Sequence, residues 1–201
     1  MLDVIIALLP ATIAGVVIFG LNALLVVAVC VAACVGFEYL FNLIAKKEQT
    51  IGDYSAIVTG LLLGLNLPAT TPIWQCVIGA LFAIVVVKCL FGGLGYNFVN
   101  PAITARVLML VSFASVAAPA FPAGVDAAAG ATPLVQLANG ESVDLLTLLL
   151  GNHGGSVGET CAIALILGFL YLLARDVISW EIPVSFIGSV FVSPSLWRAM
   201  L

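Results

Sequence analysis

The sequence predicts an all-α, polytopic integral membrane protein, with about seven transmembrane helices in one membrane domain over residues 1–201. Of the 201 residues, 63% are hydrophobic and only 8% are charged, and the mean hydropathy is +1.27. Soluble domains carry about 25% charged residues, so this chain has too few to cover a water-facing surface. Apolar runs also alternate with short clusters of glycine, proline and charged residues. At roughly 20 residues a span, the length fits six or seven spans.

The predicted spans are apolar runs bounded by helix-breaking or charged residues. They cover 4–19, 23–44, 54–67, 73–91, 101–118, 158–174 and 178–193. Gly20 ends the first span, the charged segment "AKKEQT" ends the second, and Pro68 ends the third. The segment "FGGLGYN" ends the fourth. Pro101 opens the fifth, since proline is tolerated in the first turn of a helix.

The second half of the chain is divided by a long predicted loop, 119–157, and Arg175 and Asp176 end the sixth span. Several spans are shorter than a full crossing. Short, interrupted membrane helices often line a cavity, where protein or water satisfies the non-helical backbone. The alternative is that the boundaries are misplaced.

The basic residues predict the orientation. Five of the six fall on the face of the amino terminus: Lys46, Lys47, Lys88, Arg106 and Arg175. By the positive-inside rule this face is cytoplasmic, and Arg198 is the exception. The 119–157 loop carries Asp126, Glu141 and Asp144 and no basic residue, so we expect it outside a bacterial or archaeal cell membrane. The net charge of −4 gives no reason to invoke nucleic acid.

That loop contains the polar segment "VDAAAGATPL", 125–134, with the pattern D-x-x-A-G-A-T. Gly130 and Ala131 leave steric space beside the Thr132 hydroxyl, and Asp126 lies six residues upstream. The segment resembles the D-x-x-[S/T]-G-A-T acceptor of proteins modified by a flavin transferase, in which the threonine forms a phosphoester with FMN. Ala129 departs from the usual serine or threonine. The alternative is an ordinary turn or capping threonine.

Four segments in order extend this resemblance: "IGDYSAIVTGLLLGLNLP", "FGGLGYNFVNPAITAR", "AGATPL" and "GSVGETCAIALILGFLYLLAR". Together they resemble the D subunit of the Rnf ion-translocating electron-transport complex, a homologue of the B subunit of the sodium-translocating NADH:quinone reductase. That family continues with further spans, so this chain resembles roughly the first two-thirds of such a protein, with an unusual carboxy-terminal "SLWRAML".

The resemblance implies an electron-carrying subunit rather than a complete enzyme. It implies covalent FMN on Thr132, a second noncovalent flavin (riboflavin), and electron transfer between reduced ferredoxin and NAD coupled to Na⁺ or H⁺ transport. The implied partners are the other membrane subunits, an outer flavoprotein subunit and the flavin transferase. The chain itself has no dinucleotide fingerprint, and we assign it no catalytic residue and no metal site.

The turn with Gly92, Gly93 and Gly95 predicts a tight connection between packed helices, with a phosphate-binding loop as the alternative. Asn97 and Asn100 follow it. They either cap the fifth span, because asparagine is a good N-cap, or bind a second flavin or a passing ion.

Charged residues near the spans are the remaining candidates. Glu38 lies within the second span, where a carboxylate is a functional candidate by default; it either serves ion movement or pairs with Lys46 or another cation. We expect Lys88 to extend to the interface and Asp53 to cap the third span. Glu159 should begin the sixth span, where an acid suits the helix dipole.

We assign no site to the single histidine or to the cysteines. His153 is the single histidine and is predicted to be a plain loop residue. The five cysteines include Cys30 and Cys34 on one helix face. We expect them to pack as small apolar residues rather than bind a metal.

Two rival functions remain open at this stage. One is a channel or permease on a urea-channel-like scaffold, with a pathway lined by Asn66, Asn97 and Asn100. The other is a structural anchor that assembles with a complex and carries no electrons.

Overall fold

The computed structural model describes residues 1–122, 132–139 and 144–192, and the regular elements in these residues are helical. The helices are α1 (Leu2–Phe19), α2 (Leu21–Ile44), α3 (Ser55–Asn66), α4 (Ile73–Leu81, continued by a π-helix over Phe82–Cys89), α5 (Pro101–Ser112), α6 (Ala114–Ala117), α7 (Pro133–Ala138), α8 (Leu145–Leu150), α9 (Ala162–Ala174) and α10 (Glu181–Val192). A 3-10 turn covers Ile51–Asp53. The all-α prediction is confirmed for these residues.

Two of the described helices, α1 and α2, are long and apolar enough to cross a membrane. Each of the other five predicted spans coincides with a shorter apolar helix of 10–17 residues. Because the bilayer core is about 30 Å thick and a helix rises 1.5 Å per residue, these helices are shorter than a straight crossing. The figure of seven full crossings stays a prediction.

Helix α3 ends early because Pro68 disfavours helical backbone at the preceding residue; Leu67 is extended, at φ −94° and ψ 149°. The backbone freed there is not left unpaired. The Val157 N–H donates to the Leu67 carbonyl at 3.1 Å, and the Gly158 N–H donates to the Leu65 carbonyl at 2.8 Å. This pairing is typical of an interrupted membrane helix and favours that interpretation over misplaced boundaries.

Three predicted boundaries were wrong in detail. The fifth span is not one helix over 101–118, because Phe113 is extended and separates α5 from α6. The sixth span begins at Ala162 rather than near 158, since Cys161 is still extended. The predicted 119–157 loop contains the short helices α7 and α8.

Small residues let the helices approach closely. A Cβ on Gly60 would lie 2.6 Å from the Val31 Cα, and one on Gly64 would lie 2.8 Å from the Val27 Cα. The buried cysteines Cys30, Cys34 and Cys76 join the same apolar core, as expected of small hydrophobic side chains.

Contacts along the helices define two ends of the bundle. Along α1, Asp3 meets Arg175, Ala7 meets Gly168, and Gly15 meets Val157, so α1 and α9 are antiparallel. Helices α2 and α3 are antiparallel by the same argument, since Gly60 meets Val31 and Gly64 meets Val27. We call the end with Asp3, Arg175 and the start of α3 the amino-terminal end. The opposite end, with Val157, is the loop end.

Candidate functional site

A cavity of about 560 Å³ lies at the loop end. Its walls come from segments that are far apart in sequence. Apolar lining residues include Pro68, Val116, Pro133 and Leu148, and polar ones include Arg106, Thr132, His153, Ser156 and Glu159. A mostly apolar cavity with a few convergent polar groups is typical of a small-molecule site.

Thr132 stands on the wall of this cavity, at the start of α7. Its backbone carbonyl accepts hydrogen bonds from the Val135 N–H at 2.9 Å and the Gln136 N–H at 3.0 Å. These bonds hold the residue through its backbone, and the residue is half-buried. Asp126, Gly130 and Ala131, the rest of the predicted motif, lie outside the described residues.

Arg106 lines the same cavity from the middle of α5, and its Nη1 donates to the Val116 carbonyl at 3.0 Å. The prediction that Arg106 lies on the face of Lys46 and Lys47 was therefore wrong. The reason is the break at Phe113, after which α6 comes within reach of the arginine side chain. The position of Arg106 in the chain predicted the amino-terminal end, whereas its long side chain reaches the loop end.

The segment 153–159 closes the cavity. Gly155 pairs with Ala120 through two backbone hydrogen bonds. The Ser156 N–H donates to Glu159 Oε1 at 2.8 Å, so Glu159 orders this turn; it was wrongly predicted to begin the following helix. His153 contacts the carbonyl of Gly154 at 3.1 Å. Its place on the cavity wall was missed, and the glycine-rich "GNHGGS" was the signal available.

Two glycines of this wall lie close to neighbouring side chains. A Cβ on Gly154 would lie 2.5 Å from Phe121 Cε1, and one on Gly155 would lie 2.8 Å from Glu159 Oε1. An added Cβ at either position would therefore require the Phe121 ring or the Glu159 side chain to shift.

A second polar site lies at the amino-terminal end, where Lys88 Nζ and Glu38 Oε1 form an ion pair at 2.8 Å. Both side chains are only 2% exposed. The prediction that Lys88 extends to the interface was wrong, because the π-helical segment that ends at Cys89 directs it inward. Of the two interpretations of Glu38, pairing with a cation is confirmed, and the cation is Lys88 rather than Lys46.

Polar residues surround this pair. Glu38 Oε1 also accepts from the Thr50 hydroxyl at 2.6 Å, and Asn42 donates to Thr50 at 3.1 Å. Lys88 donates to the Ser55 hydroxyl, which donates to Asp53. Glu38 Oε2 is buried without a hydrogen-bond partner among the described atoms. The group borders a cavity of about 310 Å³.

The predicted capping role is confirmed for Asn100. Asn100 Oδ1 accepts from the Ala102 and Ile103 N–H groups at 3.0 and 3.3 Å. Asp53 was predicted to cap α3, but the N-cap residue is Tyr54, and no side chain caps the helix there. Asp53 lies one residue earlier, and its Oδ1 accepts from the Ser55 N–H at 2.7 Å.

The glycine turn forms the predicted tight connection, with positive φ at Gly92, Gly93 and Gly95. With its amide in the orientation that satisfies both polar atoms, Asn97 donates to the Gly93 carbonyl at 3.2 Å and the Val87 carbonyl at 3.3 Å. Asn97 and Asn100 therefore lie at the amino-terminal end, whereas Asn66 ends α3 at the loop end and donates to the Leu62 carbonyl. The three amides therefore do not lie together at one end of the bundle.

These features define a helical membrane protein with a polar site at each end of its bundle. The chain belongs to the NQR2, RnfD, RnfE family, which matches residues 1–200. This confirms the resemblance to the D subunit of Rnf-type complexes.

The relatives are components of ion-translocating complexes. The chain is 43% identical, over 96% of its length, to the D subunit of the Na⁺-translocating ferredoxin:NAD⁺ oxidoreductase complex of Acetobacterium woodii. It is 39% identical, over 94% of its length, to the D subunit of the proton-translocating ferredoxin:NAD⁺ oxidoreductase complex of Clostridium ljungdahlii. It spans 62% of the length of each of these two relatives. Over 77% of its length it is 36% identical to the B subunit of the Na⁺-translocating NADH-quinone reductase of Pseudoalteromonas atlantica, of which it covers 40%.

Proposed function

We propose that this chain is an electron-carrying membrane subunit of an Rnf-type complex and bears covalent FMN on Thr132. The observation that carries the proposal is the loop-end cavity, which Thr132 lines together with Arg106. The family and the two ferredoxin:NAD⁺ oxidoreductase relatives supply the class of complex.

The cavity fits a flavin nucleotide in size and chemistry. Its volume of about 560 Å³ lies within the range of roughly 300–1,000 Å³ of small-molecule sites. Pro68, Val116 and Leu148 offer apolar surface for a flat aromatic ring system. The Arg106 guanidinium offers donors for a phosphate, which arginine binds well.

Attachment requires Thr132 to act as an acceptor for the transferase. Its Oγ1 forms an ester bond to the flavin-bearing phosphorus of an activated donor of the dinucleotide class. The phosphorus–oxygen bond to the nucleoside monophosphate breaks, and the threonine proton leaves with that group. When bound, the flavin supplies the electron chemistry, while the protein supplies position and electrostatics. Thr132 serves as a tether.

The amino-terminal site is our proposed place for the second ligand of the chain. The 310 Å³ cavity beside Glu38 is lined by polar groups, and the buried Glu38 Oε2 is an acceptor for a cation or a flavin hydroxyl. Asn97 and Asn100 shape the adjacent turn and helix start. We propose that a coupling ion or a noncovalent riboflavin binds here. The coupling ion is Na⁺ by name in one relative and the proton in another.

The proposed partners follow from membership of a complex. They are the other membrane subunits and an outer flavoprotein that exchanges electrons with the flavin at the loop end. We place the amino terminus in the cytoplasm and the loop end outside, which puts the Thr132 cavity on the side of that flavoprotein.

The test is to express the chain with and without a flavin transferase and to examine denaturing gels under ultraviolet light. We expect a fluorescent band that requires the transferase. Thr132→Val, which removes the hydroxyl at nearly constant volume, should be dark. Thr132→Ser keeps a hydroxyl and should remain fluorescent.

A dark wild-type band with an active transferase would overturn the flavin proposal, and the anchor function would then explain the chain better. A fluorescent Thr132→Val band would move the attachment to another residue.

A further inference from the structure

We propose that Arg106 is the positioning residue for the phosphate that links the flavin to Thr132. The inference rests on the proposed function, since it concerns how the attached nucleotide is held. It assigns to a residue of α5 a role that the acceptor motif, 26 residues further along the chain, does not reveal.

The first argument is the hydrogen-bonding capacity of Arg106. A guanidinium carries five N–H donors. The Val116 carbonyl takes one donor of Nη1 at 3.0 Å, and that bond fixes the direction of the side chain. The remaining donors belong to a half-buried group on the wall of the cavity that Thr132 also lines. A bidentate contact to phosphate is the arrangement such a fork favours.

The second argument concerns charge. Among the described residues, the ion pairs within 4.0 Å are Lys88–Glu38 and Arg175–Asp3, so Arg106 has no carboxylate in contact there. The charge of Glu159, on the wall of the same cavity, acts on Arg106 without contacting it; Glu159 is exposed, and its Oε1 accepts from the Ser156 N–H. A cation withdrawn from water is stabilised by a partner of opposite charge. A phosphodiester on Thr132 would place one negative charge in the same cavity.

The third argument is that the arginine is held rigidly. Its acceptor Val116 is fully buried, and the neighbouring Ser115 hydroxyl donates to Gln75 Oε1 at 2.9 Å. The short helix α6 therefore ties Arg106 to α4. A guanidinium fixed before the nucleotide arrives loses less side-chain entropy on binding.

The experiment uses phosphorus NMR of the flavinylated chain in a detergent without phosphorus, with the unfolded protein as reference. In the wild type, the phosphodiester resonance of the folded protein should be displaced from that of the unfolded protein. Arg106→Gln should keep the covalent flavin, while its folded resonance returns to the unfolded position. Arg106→Lys, which keeps the charge without the fork, should give an intermediate displacement.

Two control variants separate contact with phosphate from a merely structural role. Thr104→Ala removes a side-chain hydrogen bond to the Asn100 carbonyl on the same helix α5 and leaves the contacts of the guanidinium in place, so its resonance should match the wild type. Arg175→Gln removes a positive charge at the other end of the bundle and should also match.

The inference is overturned if Arg106→Gln keeps the wild-type displacement, or if Thr104→Ala abolishes it equally. If Arg106→Gln does not accumulate, Arg106→Lys decides the matter, and an unchanged displacement in that variant overturns the inference. A wild-type chain with no covalent flavin refutes the proposed function instead, and the denaturing gel detects that result before any resonance is recorded.

Discussion

The ion pair between Glu38 and Lys88 should be a main determinant of stability, and removing one partner should be far worse than removing both. Each side chain is 2% exposed, and the charged atoms are 2.8 Å apart. Leaving one member of a buried pair without the other costs about 3–5 kcal/mol, whereas replacing both is often neutral or stabilising. At about 2–4 °C per kcal/mol for a chain of this size, each single variant should lose about 6–20 °C in unfolding midpoint.

The two single variants should differ. Lys88→Met leaves the Glu38 carboxylate with one hydrogen bond, from the Thr50 hydroxyl to Oε1. Its other oxygen, Oε2, already has no partner among the described atoms. Glu38→Gln leaves the Lys88 ammonium near Asp53, through Ser55. The larger loss is therefore expected for Lys88→Met. The double variant should unfold within a few degrees of the wild type.

The assay is thermal unfolding in detergent followed by a thiol-reactive fluorescent dye. Cys30, Cys34 and Cys76 are fully buried, so they react only when the bundle opens. Asp3→Asn is the control: it breaks the exposed pair with Arg175, and exposed pairs contribute little, so its midpoint should not change measurably. Single variants as stable as the wild type, or a double variant as unstable as Lys88→Met, would refute the reasoning.

Two further substitutions test packing and capping by the same unfolding assay. Gly60→Ala should destabilise the protein by about 1–3 kcal/mol, because its Cβ would lie 2.6 Å from the Val31 Cα. The control is Gly36→Ala in α2, where an added Cβ has nothing within 4 Å; this variant should be neutral or stabilising by up to about 1 kcal/mol. Equal effects at both sites would contradict the close approach of α2 and α3. Asn100→Ala should lower the free energy of unfolding by about 0.5–2 kcal/mol, because it removes the acceptor for two N–H groups at the start of α5. Asn100→Asp keeps an acceptor and should retain the stability of the wild type. A loss of equal size in both variants would show that capping is not the reason.

Local features were predicted well because their causes are local. Asn100 followed by Pro101 predicted a helix start, and the side chain caps that helix. Pro68 predicted the end of α3, since a proline restricts the residue before it. Gly92, Gly93 and Gly95 predicted a tight turn, and all three adopt positive φ.

The errors concern side chains whose surroundings come from distant parts of the chain. Lys88 was expected at the interface because its neighbours in sequence suggest a span end, yet Glu38, fifty residues away, receives it in the core. Arg106 was assigned to an end of the bundle by counting spans, yet an interrupted helix lets it reach the opposite cavity. Neither the π-helical turn nor the break at Phe113 leaves a reliable trace in apolar periodicity.

The amino-acid sequence by itself determined the class of the protein, since a chain with 8% charged residues must bury its surface in lipid, and it determined the family through four ordered motifs. Only the tertiary structure decided which polar groups share a site. Thr132, Arg106 and Glu159 line one cavity because the interrupted helix α3 pairs its free backbone with residues 157 and 158, and the break after α5 brings Arg106 within reach of α6. Local motifs depend on interactions within a few residues, whereas a site is assembled by packing between segments that are far apart in the chain.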